Sequence, residues 1–177
     1  KGNVSRWLSK ITICGICDVI QSRFEQSPEI TGYSDFVQML DSSRPDIVII
    51  AVPTAMHKPL AAMSLARGIH TFVEKPIVTN LADLNELIVA ANKTGSKLMA
   101  GHVERYNPVS IKIKSMLATN GLPARYEFMR TQEHHSRITD DIISDKIIHD
   151  LDIAISWFGA ISELNIESNN PYLCKEK

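Results

Sequence analysis

An α/β fold with a parallel sheet, continued by an α+β region, is what the sequence predicts, and three observations carry it. Short apolar runs alternate with helical periods from Ile11 to Gly101, the strand–helix–strand order that gives parallel strands and right-handed crossovers. The connections between those runs are short. From Pro108 the alternation stops and gives way to a helix, a Gly-Leu-Pro turn, an extended run and one long helix. The expected division is 1–104 for the parallel region and 105–177 for the α+β region.

Taken in order, Ile11 to Cys17 is a β-like run closed by Asp18, followed by a helix carrying Arg23 and Phe24. A short extended piece near Ile30 to Tyr33 leads to Ser34, a residue suited to cap a helix from Asp35 to Leu40. Ile47 to Val52 is uniformly apolar, the pattern of a strand covered on both faces, and Pro53 closes it. A helix over Leu60 to Arg67, with Ala61, Leu65 and Ala66 inward, is stopped by Gly68. Thr71 to Val73 is the next strand. Asn80 caps a long helix with Leu81, Leu84, Ile88 and Ala91 on one face and Gly95 at its end. Lys97 to Ala100 is a further strand. Beyond the boundary come a helix from Val109 to Leu117, the turn at Gly121 to Pro123 and an extended run from Ala124 to Glu133. A helix from about Asp140 to Phe158 and a strand-like Leu164 to Glu167 finish the chain. The first sheet wants a strand before Ile11, and the second region has too few strands to cover its helix, so a piece of a longer protein is expected.

Composition narrows the function classes. A 177-residue chain with 44% apolar residues can bury a core in one or two domains. A net charge of −1 offers no field to draw in nucleic acid or an anionic membrane. The apolar runs are strand-sized, so no membrane span is expected. Three cysteines, an odd number, argue against a disulfide framework and for a reducing, cytoplasmic setting. Cys14 and Cys17 form a Cys-x-x-Cys, but residues three apart on a strand point to opposite faces. Core packing is therefore expected of them, and no metal.

Four stretches carry candidate chemistry. Asp18 closes a strand where a carboxylate can accept hydrogen bonds from both ribose hydroxyls of an adenosine. A 2′-phosphate would be repelled there, so NAD is expected over NADP. Of a glycine-rich phosphate loop only Gly2 remains, at close to the roughly 20-residue spacing such a motif has. Glu74-Lys75-Pro76 delivers a lysine at the carboxyl edge of a strand, where α/β proteins place ligands. Asp145, His149 and Asp152 fall at i, i+4 and i+7, one helical stripe, with Ile143, Ile147, Leu151 and Phe158 expected on the buried one. A carboxylate beside an imidazole suits general-base chemistry near neutral pH. Gly101 to Pro108 (GHVERYNP) has the dense polar and aromatic content of a binding cleft.

These motifs, Ala51-Val52-Pro53-Thr54-x-x-His57, Gly68-x-His70-Thr71-Phe72-Val73-Glu74-Lys75-Pro76 and Asp145-x-x-x-His149-x-x-Asp152, resemble the Gfo/Idh/MocA oxidoreductases in order and content. The Gly-His-x-Glu-Arg-Tyr-Asn-Pro stretch is similar to members acting on nucleotide sugars such as UDP-N-acetylglucosamine. The resemblance implies a Rossmann-type parallel domain followed by an α+β domain with an open, mostly antiparallel sheet. It implies Lys75, Asp145 and His149 as the catalytic set, and Asp18, Pro53, Thr54, His57, Glu74, Lys75 and Arg105 around the cofactor. Substrate contact falls to Lys75, Tyr106, Asp145 and His149. The implied reaction is NAD(P)-dependent oxidation of a hydroxyl on a sugar, nucleotide sugar or polyol, in a homo-oligomer. Two other readings are open: an NAD-binding regulator without catalysis, and a metal phosphohydrolase using His149-Asp150 with His134 or His135.

Overall fold

The structure is a computed structural model and describes residues 10–122, 125–129 and 143–165. It separates into two compact units, one of Lys1–Val73 with Val78–Met99, the other of Glu74–Ile77 with Ala100–Lys177.

In the first unit, β1 (Ile16–Cys17) pairs in parallel with β2 (Gly32–Tyr33), and α1 (Gln21–Phe24) connects them. The strand is far shorter than the apolar run from Ile11, because only Ile16 and Cys17 find a partner. Cys14 is exposed and Cys17 half-buried, which corrects the expectation that both pack in the core. Partial burial, with Asp35 and Asp18 nearby, pushes the Cys17 thiol pKa up, the opposite of an activated thiolate. Gly32 admits the Phe24 ring: a Cβ there would sit 2.2 Å from a ring carbon.

Helix α2 (Phe36–Ser43) is capped by Asp35, not Ser34, its Oδ1 accepting from the Gln38 N–H at 2.7 Å. Strand β3 (Ile47–Ile50) pairs in parallel with β4 (His70–Val73), and β4 is flanked on its other side by β5 (Leu98–Ala100). Along β3 burial alternates. Val48 and Ile50 are buried, whereas Ile47 is 61% and Ile49 71% exposed, so the strand packs one face rather than two. A continuous apolar run fixes a strand but not the number of layers laid over it.

Helix α3 (His57–Ala66) crosses from β3 to β4 and buries His57, Ala61, Ser64 and Leu65, while Ala66 faces out. Helix α4 (Leu81–Thr94) starts at Asn80, whose Oδ1 accepts from the Asp83 N–H at 2.9 Å, and ends at Gly95 in the left-handed region (φ 72°). Its packed residues are Leu87 and Ala91. Leu81 is 76% and Ile88 42% exposed, so the inward stripe is rotated from the expected one toward the side facing α3. Lys58 ties the two helices by pairing with Asp83 and with Glu86 (2.7 Å).

In the second unit a 3₁₀ turn, Val103–Tyr106, runs into α5 (Pro108–Asn120). Asn107 caps that helix by accepting from the Val109 N–H at 3.0 Å, with proline at the first helical position. The expected long helix is two pieces, a π-helical turn (Ile143–Ile147) and α6 (Ile148–Phe158), which ends at Gly159. Helix α6 packs on α5 and on the 3₁₀ turn. Tyr126 stacks on Phe158 with ring centres 3.7 Å apart. Residues 123–124, 130–133, 140–142 and 166–167, included in the expected elements, lie outside the described residues; Leu164 and Asn165 are not in a strand. Among the described residues no helix is long and apolar enough to cross a membrane.

Candidate active site

Because β3 and β4 are parallel, their carboxyl ends lie at the same edge of the sheet, where side chains from successive loops can meet a ligand. After β3 the chain passes Val52, Pro53 and a 3₁₀ turn, Thr54–Met56, into α3. His57, 1% exposed, holds that loop: its Nε2 lies 2.8 Å from the Val52 carbonyl oxygen. A carbonyl oxygen can only accept, so Nε2 carries the proton. The ring is thereby tied to the backbone of the loop that carries Pro53 and Thr54.

Asp18 stands just past β1 and its carboxylate serves its own loop. Oδ1 accepts from the Ile20 N–H at 2.8 Å and Oδ2 from Arg23 Nη1 at 3.0 Å. These hydrogen bonds, the backbone one first, hold its pKa below the usual carboxylate range. A carboxylate has about four acceptor positions, so two remain that could accept from the two hydroxyls of a diol such as a ribose.

Glu74 and Lys75 follow β4 and belong to the second unit. The Lys75 N–H donates to Glu74 Oε2 at 3.1 Å, and the Lys75–Pro76 peptide is cis. Both side chains are half-buried. Gly101 presses on this corner: a Cβ placed on it would come within 3.0 Å of the Glu74 Cα and of Oε2. A Cβ there would be tighter than ordinary contact, so the Glu74 backbone or carboxylate would have to give by a few tenths of an ångström.

In the same unit Arg105 reaches α6. Its Nε donates to Asp152 Oδ2 at 2.7 Å and its Nη2 to Oδ1 at 2.6 Å, the fork geometry that makes arginine–carboxylate pairs strong. The Arg105 guanidinium, expected beside the cofactor, is engaged with Asp152, which raises its pKa further. His102 lies near the same carboxylate, its buried Nδ1 3.8 Å from Oδ1.

Asp152 is one of the two buried residues of α6, with Ile153, whereas Ile147 is 38% exposed. The packed face is thus not the expected apolar stripe. The π turn adds a residue to the helical register ahead of His149, so spacing counted on a straight helix does not carry through it. His149 is half-buried near the start of α6. Asp145 lies in the π turn, and its side chain is outside the described residues. Tyr106 is 62% exposed at the end of the 3₁₀ turn. The structure thus brings Glu74, Lys75, His102, Arg105, His149 and Asp152 into one unit and leaves Asp18, Pro53, Thr54 and His57 in the other.

Residues 3–102 match the model of the Gfo/Idh/MocA family, an oxidoreductase family with an NAD-binding Rossmann fold. The chain belongs to this family. UDP-N-acetylglucosamine 3-dehydrogenase of Acidithiobacillus ferrooxidans is 32% identical over 116 residues, covering 65% of this chain and 36% of that protein. Inositol 2-dehydrogenase of Salmonella typhimurium is 23% identical over 159 residues, covering 82% of this chain and 46% of that protein. An NAD-binding protein from Listeria innocua shares the fold with a TM-score of 0.67 at 21% identity, over 81% of this chain and 46% of its own. The Gfo/Idh/MocA chain described here therefore spans less than half the length of these relatives.

Two features of this Gfo/Idh/MocA chain were not assigned from its sequence. Asp152 stood in the stripe with His149, but nothing local marked Arg105, 47 positions away, as its partner. Gly101 opened the stretch expected to form a binding cleft, and its close approach to Glu74 is visible only in the structure. A cleft of about 550 Å³, lined in part by Arg44, Asp46, Arg67 and His70, opens at the amino ends of β3 and β4, away from the edge where Pro53 lies. His134 and His135 lie outside the described residues, among which no group of three or more His, Cys, Asp or Glu is placed to hold a metal.

Proposed function

We propose that the complete protein is an NAD-dependent dehydrogenase that oxidises a secondary hydroxyl of a sugar, nucleotide sugar or polyol. The observation that carries this reading is the ordered set of Glu74-Lys75-Pro76 and Asp145-x-x-x-His149, with Lys75 and His149 in one compact unit. The names of the relatives support the substrate class.

His149 takes the hydroxyl proton, since a carbonyl cannot form while the oxygen keeps it. Lys75 donates a hydrogen bond to that oxygen and stabilises the developing alkoxide. Asp145 orients His149 or the substrate, Tyr106 lines the substrate side, and Glu74 holds Lys75 through its main-chain N–H. Asp18 accepts from the ribose hydroxyls, while Pro53 and Thr54, set by His57, line the cofactor side. When bound, the nicotinamide supplies the hydride acceptor. NAD is favoured over NADP because a 2′-phosphate would face the Asp18 carboxylate. A homo-oligomer in the cytoplasm, divided near residue 104, completes the proposal.

The test is NAD titration of the full-length protein by fluorescence, followed by NADH formation with UDP-N-acetylglucosamine and with inositol. Saturable NAD binding and turnover abolished in Lys75→Met and His149→Ala are expected. Full-length protein that binds no NAD would sink the dehydrogenase reading.

A further inference from the structure

The segment from Gly101 to Arg105 touches both halves of the reacting pair. At one end Gly101 packs close on Glu74, the residue before Lys75: a Cβ on it would lie 3.0 Å from the Glu74 Cα, tighter than ordinary contact. At the other, Arg105 grips Asp152, which lies on α6 one turn beyond His149. Between them His102 packs beside the same carboxylate. All of these residues fall in one unit.

We infer that residues 101–105 are the positioning element of the active site, fixing the spacing of Lys75 and His149 through the Gly101–Glu74 contact and the Arg105–Asp152 clamp. The inference rests on the reading of Lys75 and His149 as the reacting pair. It makes Gly101, Arg105 and Asp152 positioning residues that touch neither substrate nor cofactor. The chemical reason is the geometry of the fork. Two parallel hydrogen bonds to one carboxylate fix orientation as well as distance, which a single flexible ammonium does not. A helix held that way cannot rotate about its axis without breaking both bonds. Small displacements matter because proton transfer and hydride departure need reacting atoms within about 3–3.5 Å.

The experiment uses the full-length protein with labelled histidine. The chain has six histidines, and the His149 resonance is assigned by its loss in His149→Gln. The proposal expects that resonance to move in Arg105→Ala, Asp152→Asn and Gly101→Ala. It should stay put in Lys58→Ala, which breaks an ion pair in the other unit. With NAD and UDP-N-acetylglucosamine as probes, kcat should fall by about a hundredfold, with NAD affinity unchanged and partial recovery in Arg105→Lys. Where Arg105→Ala fails to fold by circular dichroism, Asp152→Asn, which keeps side-chain volume, carries the same test. A His149 resonance unmoved in the folded variants overturns the proposal. So does lost NAD affinity with kcat retained, which would make Arg105 a cofactor contact. Failure of the underlying reading shows differently: Lys75→Met would leave turnover intact, removing the reacting pair and this proposal with it.

Discussion

Arg105 and Asp152, 47 positions apart in sequence, meet in a two-pronged ion pair with bonds of 2.7 and 2.6 Å. The carboxylate is nearly buried, at 9% side-chain exposure, while the arginine keeps 42% of its side chain in water. That asymmetry decides what each substitution does. Arg105→Ala strands a buried charge and should cost about 2 kcal/mol, below the range for a wholly buried pair because water reaches the guanidinium side. Removing both partners, as in Arg105→Met with Asp152→Leu, should cost less than either single change. Urea denaturation of the four proteins measures the coupling, and strict additivity would contradict it.

Gly101→Ala forces a Cβ to within 3.0 Å of the Glu74 backbone. Main chain yields less readily than a side-chain tip, so a stability loss of about 1–3 kcal/mol is expected, in the manner of overpacking. Trimming Glu74 to alanine removes the Oε2 clash but not the Cα clash, and so should recover only part of it. Thermal melts of the single and double variants check this; full recovery would place the strain in the side chain alone.

Gly32 is the complementary case. Its added Cβ would meet ring atoms of Phe24 at 2.2 to 2.8 Å, so its three nearest neighbours all belong to one side chain. Gly32→Ala should destabilise the first unit by about 1–3 kcal/mol. Here Phe24→Leu in the same chain should relieve most of the added cost, because the obstacle is a side chain. Chemical denaturation of the four-member cycle distinguishes the two glycines.

The Asp18 carboxyl is held below its usual range by the Ile20 N–H and by Arg23. A depressed folded pKa stabilises the fold at pH above the unfolded value of about 4, and that contribution is lost as pH falls through the lower folded value. Asp18→Asn should therefore melt below the parent at neutral pH, with the gap closing in acid. Melting temperature followed from neutral pH down to about pH 2 reads this out. A gap that widens in acid would reverse the assignment.

Much of this protein was legible in one dimension. Asn80 and Gly95 bounded their helix as their types dictate, since an amide side chain satisfies a free N–H and glycine tolerates a left-handed φ. The alternation up to Gly101 gave parallel strands, and the Glu74-Lys75-Pro76 and Asp145-x-x-x-His149 motifs pointed to the family. Those are local properties, fixed by backbone sterics and residue chemistry. Tertiary structure alone decided the rest. It left Ile47 and Ile49 of β3 exposed among the described residues, because layers over a strand are set by distant helices. It turned the α4 stripe toward α3, and it placed a π turn before His149 that spacing on a straight helix does not anticipate. It also gave Arg105 to Asp152 and Gly101 to Glu74. Which charge meets which, and which glycine faces a backbone, depends on groups brought together by folding, and no local pattern in the chain encodes that distance.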